Sequence, residues 1–478
     1  MKASSPIQRI AIIGGGFSGV LTAVNVARMT TQPLHLILIN RDRPLGRGVA
    51  YGTRRPEHLL NVAARNMSAF PDLPDHFFQW LRTRSEYDTV PDHELRERFI
   101  PRMVFGDYLK SLLHHHLQGA GESAMVTAEF IEGDAVDIEI EGTLGVVTLA
   151  GGDRIKADRV VLASGNEPPA ALPGAEALQD HPGWVGNPWL PWHEKLPGDD
   201  GTIVLLGTGL TTVDAIITLR GLGWLGRIHA VSRHGWLPES HFRGIEYPDF
   251  PPPGVDLAEL GLEKLRSLMQ EHCAKLRELG ANPAIVVDKM RPHTQRIWRN
   301  FSTGDRLEFA RRDAARWNIL RHRIAPEIHA QVTSSQLTGQ LQVHAANIER
   351  VEADGDQVKV SLGGEKTLTG DLVINATGPQ TKFSATRSAL LRKLMDAGLI
   401  SPDDMDMGVR VEEDHTVVTR DGDRSEVLLA LGPLLRGTLW ETIAVPELRG
   451  QASRVAATLV GGPVVPAEDL SALVEFII

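Results

Sequence analysis

Two glycine-rich turns carry the residue types and spacing most able to do chemistry in this chain of 478 residues. The first has glycines at 14, 16 and 19 in a GxGxxG pattern, and the second begins with glycines at 207 and 209. Such glycines permit a tight turn, let the backbone approach a pyrophosphate, and let the next helix pack closely. The helix N-terminus then offers N–H groups and partial positive charge to the phosphates. The residues predicted to contact nucleotides here are Gly14, Gly16, Phe17, Ser18 and Gly19 in the first turn, and Gly207, Gly209 and Thr211 in the second.

The segments around each turn are those that a dinucleotide-binding unit requires. Residues 10–13 form a continuous apolar run, as expected of a strand buried on both faces of a parallel sheet. A helical pattern over 20–29 and a second strand over 34–39 follow. The same order returns from residue 203, with a helix to about 220 and a strand over 228–232. The context makes the motif far more specific than a lone glycine turn.

The two units also close alike, which predicts two copies of one architecture. Residues 158–165 end in Gly165 and residues 371–378 end in Gly378, each after an apolar strand pattern. Before each closing strand lies a stretch of alternating short strands, over 126–150 and 341–369. The predicted fold class is α/β, with two Rossmann-like dinucleotide-binding domains and a helical insertion at about 236–330 in the second. Cys273 falls on the apolar face of a helix in that insertion and is predicted to be a packed core thiol.

The position that binds the adenosine ribose differs between the two units. An acidic residue usually ends the second strand, but here Asn40 stands there, with Asp42 two residues on. An asparagine can pair with ribose hydroxyls without the stronger charge-assisted bond. In the second unit Arg233 occupies the corresponding place and suits a 2′-phosphate, which favours NADPH, with NADH as the alternative. A solvated surface arginine is the competing interpretation of Arg233.

Composition excludes several classes of protein. The net charge of −10 and the lack of a long basic run argue against nucleic-acid and anionic-membrane partners. A single cysteine excludes an intrachain disulfide, a CxxC redox pair and a cysteine zinc cluster, and no metal site is predicted. No signal peptide or membrane-spanning run is evident, so the cytoplasm is the expected location. The oligomeric state is not indicated.

Several further segments resemble the flavin-containing monooxygenases, especially the amino-acid N-hydroxylases, and a bacterial family of FAD/NAD(P)-binding proteins. The segment 100–109 resembles the PR-x-x-F-x-x-Y segment of the N-hydroxylases, while Pro379 departs from the tyrosine that usually follows their Ala-Thr-Gly. A Baeyer–Villiger fingerprint of the FxGxxxHxxxWP kind is absent. The other segments that carry the resemblance are 45–51, 58–62, 67–70, 317–323, 432–437, 440–441 and 444–451.

This resemblance implies a two-dinucleotide-binding flavoprotein with FAD in the first unit and NADPH in the second. NADPH would reduce FAD, and the reduced flavin would react with O2 to a flavin hydroperoxide that oxygenates a small-molecule substrate. An NADPH-dependent reductase and a non-catalytic NADPH-sensing flavoprotein are the rival classes. The implied domains are 1–195 (FAD-binding, first part), 196–375 (NAD(P)H-binding, with the insertion) and 376–478 (FAD-binding, C-terminal part). By analogy the cofactor-binding set gains Arg47, Gly165, Gly378 and Gly432, and Asn61 becomes a candidate hydrogen-bond partner of the flavin, unless it only caps a turn.

An arginine-rich stretch in the insertion supplies the remaining candidates. Residues 291–323 contain nine arginines and no lysine. Arginine without lysine favours planar, bidentate recognition of carboxylate or phosphate. Arg321 and Arg323 lie close to Trp317 in sequence and are predicted to bind an anionic substrate group or an NADPH phosphate, with one of them in direct contact. The alternative is a solvated, internally paired helix face.

Overall fold

A computed structural model describes residues 7–41, 45–118, 125–242 and 245–462. The strands are β1 Gln8–Ile13, β2 Leu34–Asn40, β3 Val126–Glu132, β4 Ala135–Glu141, β5 Leu144–Leu149, β6 Arg154–Ala157, β7 Arg159–Leu162, β8 Trp184–Val185, β9 Thr202–Leu206, β10 Arg227–Ser232, β11 Leu341–Ala345, β12 Ile348–Asp354, β13 Gln357–Leu362, β14 Lys366–Gly370, β15 Leu372–Asn375, β16 Thr416–Val418 and β17 Arg424–Ala430. The α-helices are α1 Phe17–Met29, α2 Gly48–Tyr51, α3 His76–Leu81, α4 Asp92–Glu97, α5 Arg102–Leu113, α6 Leu210–Gly221, α7 Gly261–Glu278, α8 Ala284–Met290, α9 Thr294–Asn300, α10 Thr303–Arg312, α11 Ala314–Arg321, α12 Pro326–Leu337, α13 Ala389–Asp396, α14 Arg436–Leu439 and α15 Val445–Val460. Short 3₁₀ and π turns join them. None of the helices in these ranges is long and apolar enough to cross a membrane.

The first sheet has the order β16-β17-β7-β1-β2-β3 and is parallel from β17 to β3. Residues 10–13 of its central strand β1 are apolar because both faces are covered there. Ile10 and Ile12 pack under α1 and α15, whereas Ala11 and Ile13 pack on the opposite face. A three-stranded antiparallel sheet, β4-β5-β6, together with α13, supplies that second layer.

The second sheet, β11-β10-β9-β15-β8, is also parallel. Strands β9, β10, β11 and β15 take the places of β1, β2, β3 and β7, whereas the fifth strand, β8, comes before the others in the chain and β17 comes after them. Helices α6 and α12 cover one face, and the antiparallel sheet β12-β13-β14 covers the other. The edge strand β8 is hydrogen-bonded to β15, so the chain enters the second unit by Trp184. The repeat of one α/β architecture with five parallel strands in each copy is thereby confirmed.

The two stretches of short strands differ from the predicted simple alternation. The first strand of each stretch, β3 or β11, pairs in parallel with β2 or β10 and extends the large sheet. Only the following three strands of each stretch form an antiparallel layer. Both β3 and β11 expose part of one face at the edge of the sheet, which gives them the alternating pattern that a meander strand also has.

The predicted insertion is helical and lies between β10 and β11. Helices α7 to α11 enclose an apolar cluster of their own, with Trp298 and Trp317 buried in it. Helix α12 is different, because Ile328 and Val332 pack into the core of the second sheet. It therefore serves as the crossover helix of the Rossmann unit, and the added helices end before it.

Candidate functional site

The first glycine turn is shaped by contacts that only glycine allows at two positions. Gly14 has a φ of +115°, and a Cβ there would lie 2.2 Å from the carbonyl oxygen of Ala163 on the neighbouring crossover. A Cβ on Gly19 would lie 1.9 Å from the carbonyl oxygen of Gly14. These two glycines are therefore required by the packing of strand, turn and helix, as their places in the motif predict.

Gly16 is a glycine for a different reason. Its backbone is extended, with φ −80° and ψ −165°, a conformation that any residue adopts. A Cβ there would meet only the Cα of Gly48, at 3.6 Å. The protein itself leaves room for a side chain at Gly16, so the space in front of this residue is available to a ligand.

The second turn reproduces this geometry closely. Gly207 has a φ of +122°, and its Cβ would lie 2.2 Å from the carbonyl oxygen of Ala376. Gly209 has φ −84° and ψ −163°, and a Cβ there would meet nothing within 4 Å. At the third position Thr212 replaces glycine, and its hydroxyl donates to the carbonyl oxygen of Gly207 at 2.8 Å. Thr211, the neighbouring predicted contact residue, lines the central cavity described below.

The helices that follow the turns both begin without a side-chain cap. Neither Gly16 nor Gly209 can supply one, and within the described residues no side-chain cap hydrogen bond is present at α1 or α6. The N–H groups of those first turns are the ones that a helix leaves unpaired. Together with the open space at Gly16 and Gly209, they fit a pyrophosphate at each turn.

The predicted ribose residue of the first unit has a visible structural role. The Oδ1 atom of Asn40 accepts a hydrogen bond from the N–H of Gly15 at 2.8 Å, which braces the turn from the end of β2. A cavity of about 860 Å³ runs past Asn40, Gly14 and Gly165 along the carboxyl edge of the first sheet. This is the edge at which nucleotides bind in open α/β sheets. A ribose contact by Asn40 stays a prediction, and Asp42 lies outside the described residues.

The other residues predicted by analogy surround the same turn. Arg47 forms an ion pair with Asp107 of α5, so its charge is already compensated by the protein. The hydroxyl of Ser18 would lie 3.2 Å from a Cβ on Gly432, which places Gly432 beside the first turn of α1. Gly165 and Gly378 both have positive φ and open space around the Cα. They begin the two crossovers between the sheets, which meet at a β-bridge between Pro169 and Pro379.

A central cavity of about 480 Å³ lies between the two units and the insertion. Asn61 and Tyr51 line it from the first unit, Thr211 from the second, and Arg321 and Arg323 from the insertion. Residues 443–446, just before and within the first turn of α15, also line it. The structure thus brings together Asn61, Thr211, Arg321 and Arg323, which lie far apart in the sequence.

Three polar contacts join the elements around this cavity. Arg102 donates to both carboxylate oxygens of Asp214 on α6, at 2.6 and 2.9 Å. The Nε2 atom of His58 lies 2.9 Å from the hydroxyl oxygen of Thr218, also on α6. His241 of the insertion contacts the first unit through its Nε2 atom. The two nucleotide-binding units are therefore held against each other by specific polar side chains.

The His241 contact involves the backbone of Asn61 rather than its side chain. The distance from Nε2 to the carbonyl oxygen is 2.6 Å, and because a carbonyl only accepts, Nε2 carries the proton. Burial, with a contribution from Arg323, lowers the pKa of His241 to about 4. The imidazole is therefore neutral near pH 7, with Nδ1 as a hydrogen-bond acceptor. His322 in the same wall is also neutral, because burial and Arg321 lower its pKa to about 3.

The predicted arginine pair is buried and paired with carboxylates. Arg323, 2% exposed, forms a bidentate contact with Asp288 at 2.8 and 2.9 Å. Arg321 is held more loosely, 3.3 Å from Glu447 and 3.5 Å from Glu441. These carboxylates compensate both guanidinium charges. The alternative interpretation predicted internal ion pairs, which the structure shows for both arginines. It also predicted solvated side chains, whereas both are buried.

Arg233 stands apart from the cavity, as a residue for the adenosine end of NADPH would. It follows β10 directly and is exposed, and it has no carboxylate partner among the described residues. Ser232 before it accepts a hydrogen bond from the N–H of Gly235 at 3.0 Å and so fixes the loop. The rings of His234 and Trp236 stack beside it with centroids 4.4 Å apart. The 2′-phosphate contact itself stays a prediction.

Several residues of the cavity were not identified from the sequence as site candidates. His241 and Asp214 carry no motif, and Arg291, which pairs with Glu447 at 3.3 Å, was not distinguished from the other arginines. Arg102 had a signal, because it lies in the segment that resembles the N-hydroxylases. Its partner could not be found that way, because Asp214 lies 112 residues further along the chain.

The fold and the two turns define an α/β architecture with two Rossmann-like dinucleotide-binding units. Residues 11–167 match the model of a family described as FAD-NAD(P)-binding, which confirms the predicted FAD/NAD(P)-binding resemblance for the first unit. No curated protein matches the chain in sequence.

Solved structures share the fold over nearly the whole chain. The ornithine N-hydroxylase KtzI of Kutzneria sp. 744 is 13% identical, with a TM-score of 0.62 over 95% of this chain and 99% of that one. The ornithine hydroxylase PvdA of Pseudomonas aeruginosa is 14% identical, with a TM-score of 0.63 over 95% and 99%. The L-lysine 6-monooxygenase of Pseudomonas syringae is 16% identical, with a TM-score of 0.63 over 94% and 98%. At these identities the likeness confirms the predicted fold class.

Proposed function

We propose that the protein is an FAD-dependent, NADPH-utilising monooxygenase that transfers one oxygen atom of O2 to a small organic substrate. The observation that carries the proposal is the pair of matching turns, each with an open second glycine and an uncapped helix, in two units that border one cavity of about 480 Å³. The reaction balances as substrate, O2, NADPH and a proton giving oxygenated substrate, water and NADP⁺. The similar structures named above, two ornithine hydroxylases and an L-lysine 6-monooxygenase, support this class.

In this proposal the first turn holds FAD and the second holds NADPH. The first-turn amides of α1 bind the FAD pyrophosphate, and those of α6 bind the pyrophosphate of NADPH. When bound, the two cofactors supply hydride transfer and the activation of O2, through a flavin hydroperoxide in our proposal. The chain positions them: the Arg102–Asp214 contact fixes α6 against the first unit, and His241 fixes the backbone of Asn61 at the cavity wall.

The contacts of Arg321 and Arg323 in the cavity wall suggest a different role for each arginine. Arg323 donates through Nη2 to both carboxylate oxygens of Asp288 and packs over the ring of Phe242, with its guanidinium carbon 4.8 Å from the ring centroid. We therefore assign Arg323 to the support of the wall. Arg321, with its two longer carboxylate contacts, is the member that we propose to contact substrate or nicotinamide. Since both charges are compensated, an anionic substrate group gains less here than two unpaired arginines would give.

The single cysteine separates this proposal from one rival class. Disulfide reduction through a cysteine pair needs two thiols, and Cys273 is the only one in the chain. It lies in the insertion, and it does not line the central cavity. The remaining rivals are an NADPH-dependent reductase of another acceptor and a flavoprotein that binds NADPH without turnover.

Stopped-flow spectroscopy of the purified protein tests the proposal directly. The flavin is reduced with NADPH under anaerobic conditions and is then mixed with O2. An oxygenated flavin that persists for seconds, with little H2O2 released, is expected. Rapid electron delivery to an added quinone or dye, with no such species, would make the protein a reductase. Failure of NADPH to reduce bound flavin under any condition would leave only the binding role.

A further inference from the structure

A second cavity, of about 310 Å³, lies inside the helical insertion. It is bounded by α7 to α11 and by Trp440, and none of the residues around it lines the central cavity. Its walls are mostly apolar and aromatic, with Leu265, Met269, Trp298 and Phe309 among them. The volume is at the lower end of the range for small-molecule sites, which combine such walls with a few polar groups.

The charged groups at this cavity are three arginines, Arg266, Arg277 and Arg316, and one carboxylate, Asp313. Arg266 is neutralised by Asp313, with 2.7 Å between the nitrogen and oxygen atoms. Arg277 on α7 and Arg316 on α11 are exposed, and neither pairs with a carboxylate in the part of the chain that the structure describes. Both also line the cavity. An apolar cavity whose two uncompensated charges are both positive is complementary to an amphiphile with an anionic end.

Arg277 and Arg316 come from different helices and line the same cavity as Cys273. Burial raises the pKa of the Cys273 thiol, and the nearby charges of Arg277 and Arg316 both oppose that rise. Arg277 also lies one helical turn after Cys273, on the same face of α7. Cys273 lines the cavity as well, with its Sγ atom 3.8 Å from the carbonyl oxygen of Pro283.

We propose that this cavity binds a single-chain carboxylate whose apolar body packs between the aromatic walls and whose carboxylate lies between Arg277 and Arg316. Guanidinium groups suit a carboxylate in geometry and charge. The body of the ligand gains by removal of apolar surface from water. The site is independent of the proposed function, because it shares no residue with the central cavity and its occupation requires neither nucleotide.

Cys273 provides a chemical probe inside this cavity, because it is the only thiol in the chain. The rate of its alkylation by iodoacetamide is measured with increasing decanoate, kept below the concentration at which decanoate forms micelles. We expect saturable protection of at least about tenfold. The same reagent applied to urea-unfolded protein, where decanoate should give no protection, controls for direct effects on the chemistry.

Charge variants decide whether the carboxylate end is recognised. Arg277→Gln and Arg316→Gln should each weaken decanoate binding about fivefold, the effect of one exposed ion contact. Arg311→Gln is the matched control, because Arg311 is an exposed arginine on α10 that pairs with Glu308 and does not line the cavity. Decanol, of the same chain length without the charge, should bind all four proteins equally.

Three results would overturn the proposal. The first is the absence of protection by decanoate in the wild-type protein. The second is equal affinity of decanoate for the wild type and both cavity variants, because the arginines would then not hold the carboxylate. The third is protection that persists in Met269→Trp, whose larger side chain should fill the cavity, in a sample with an unchanged circular dichroism spectrum.

Discussion

Replacement of the second glycine of either turn should weaken the binding of one nucleotide and leave the binding of the other unchanged. At Gly16 and Gly209 the backbone is extended and a Cβ meets no protein atom closer than 3.6 Å. Alanine at either position should therefore change the stability of the nucleotide-free protein by less than about 1 kcal/mol, with a small gain expected from the less flexible unfolded chain. Gly19 is unsuitable for this test, because its Cβ would lie 1.9 Å from a carbonyl oxygen and would disturb the turn by itself.

These substitutions should instead lower the affinity for the nucleotide bound at the same turn. A methyl group inserted where a pyrophosphate meets the backbone is an overpacking change of about 1–3 kcal/mol. That corresponds to a loss of affinity of roughly 5- to 150-fold. Gly16→Ala should weaken FAD binding by this factor and leave NADPH binding to the FAD-saturated protein unchanged. Gly209→Ala should do the reverse, and Gly16→Val should purify nearly colourless.

The assay measures the ratio of flavin to protein after purification, the affinity for added FAD, the affinity for NADPH, and the melting temperature of the nucleotide-free protein. Gly151→Ala serves as the control, because Gly151 has no neighbour within 4 Å of its Cβ and lies away from both turns. A Gly16→Val protein with a stoichiometric flavin spectrum would refute the assignment of the first turn. Loss of both nucleotides in either alanine variant, with a fall of several degrees in melting temperature, would show that the turn is only structural.

Three other predictions follow from the site. Arg233→Ala should raise the KM for NADPH about 10- to 100-fold and change that for NADH much less, because one charge-assisted contact contributes roughly 1.5–3 kcal/mol; steady-state kinetics with both nucleotides checks this, and equal effects would make Arg233 structural. Arg323→Gln leaves a buried carboxylate unpaired and should destabilise the fold by about 3–5 kcal/mol, which denaturation measurements check. Arg321→Gln should keep its flavin and slow either flavin reduction or turnover, which stopped-flow measurements check. In the folded protein the pKa values of His241 and His322 are lowered to about 4 and about 3, so below pH 6.5 the unfolded chain binds more protons than the folded one. The free energy of unfolding should therefore fall as the pH drops from about 6.5 toward 4. A His322→Gln protein with the same pH dependence of melting temperature as the wild type would contradict this.

Sequence alone predicted the parts of the fold that are encoded locally. The strand at 10–13 is apolar at every position because helices and a second sheet cover its two faces, and the same holds at 203–206. The turn, the helix and the next strand then follow within thirty residues in each copy. Such short-range order fixes a Rossmann unit without knowledge of distant contacts.

Pairing between segments that lie far apart in the chain could not be predicted from the sequence. The strand pattern at 126–132 alternates, which suits both a meander and a sheet edge, and only its pairing with β2 decides between them. The arginine partners are similar, since Glu447 lies 126 residues from Arg321. The nine arginines therefore suggested either a site for an anionic group or an internally paired helix face, and only the folded chain shows that Asp288, Glu441 and Glu447 compensate Arg321 and Arg323.

The two turns differ at the third position of the motif, which is Gly19 in the first and Thr212 in the second. In the first, Gly19 allows the backbone of α1 to approach the turn directly. In the second, Thr212 reaches the equivalent carbonyl with a hydroxyl group, so side-chain hydrogen bonding replaces close backbone packing. One helical turn beyond the start of α6, Asp214 receives both hydrogen bonds from Arg102 of the first unit. Helix α6 is thus tied to its own turn by Thr212 and to the first unit by Asp214. Because interfaces between domains of one chain are commonly polar and permit motion, loss of the Arg102–Asp214 contact should loosen the orientation of the second turn relative to the first.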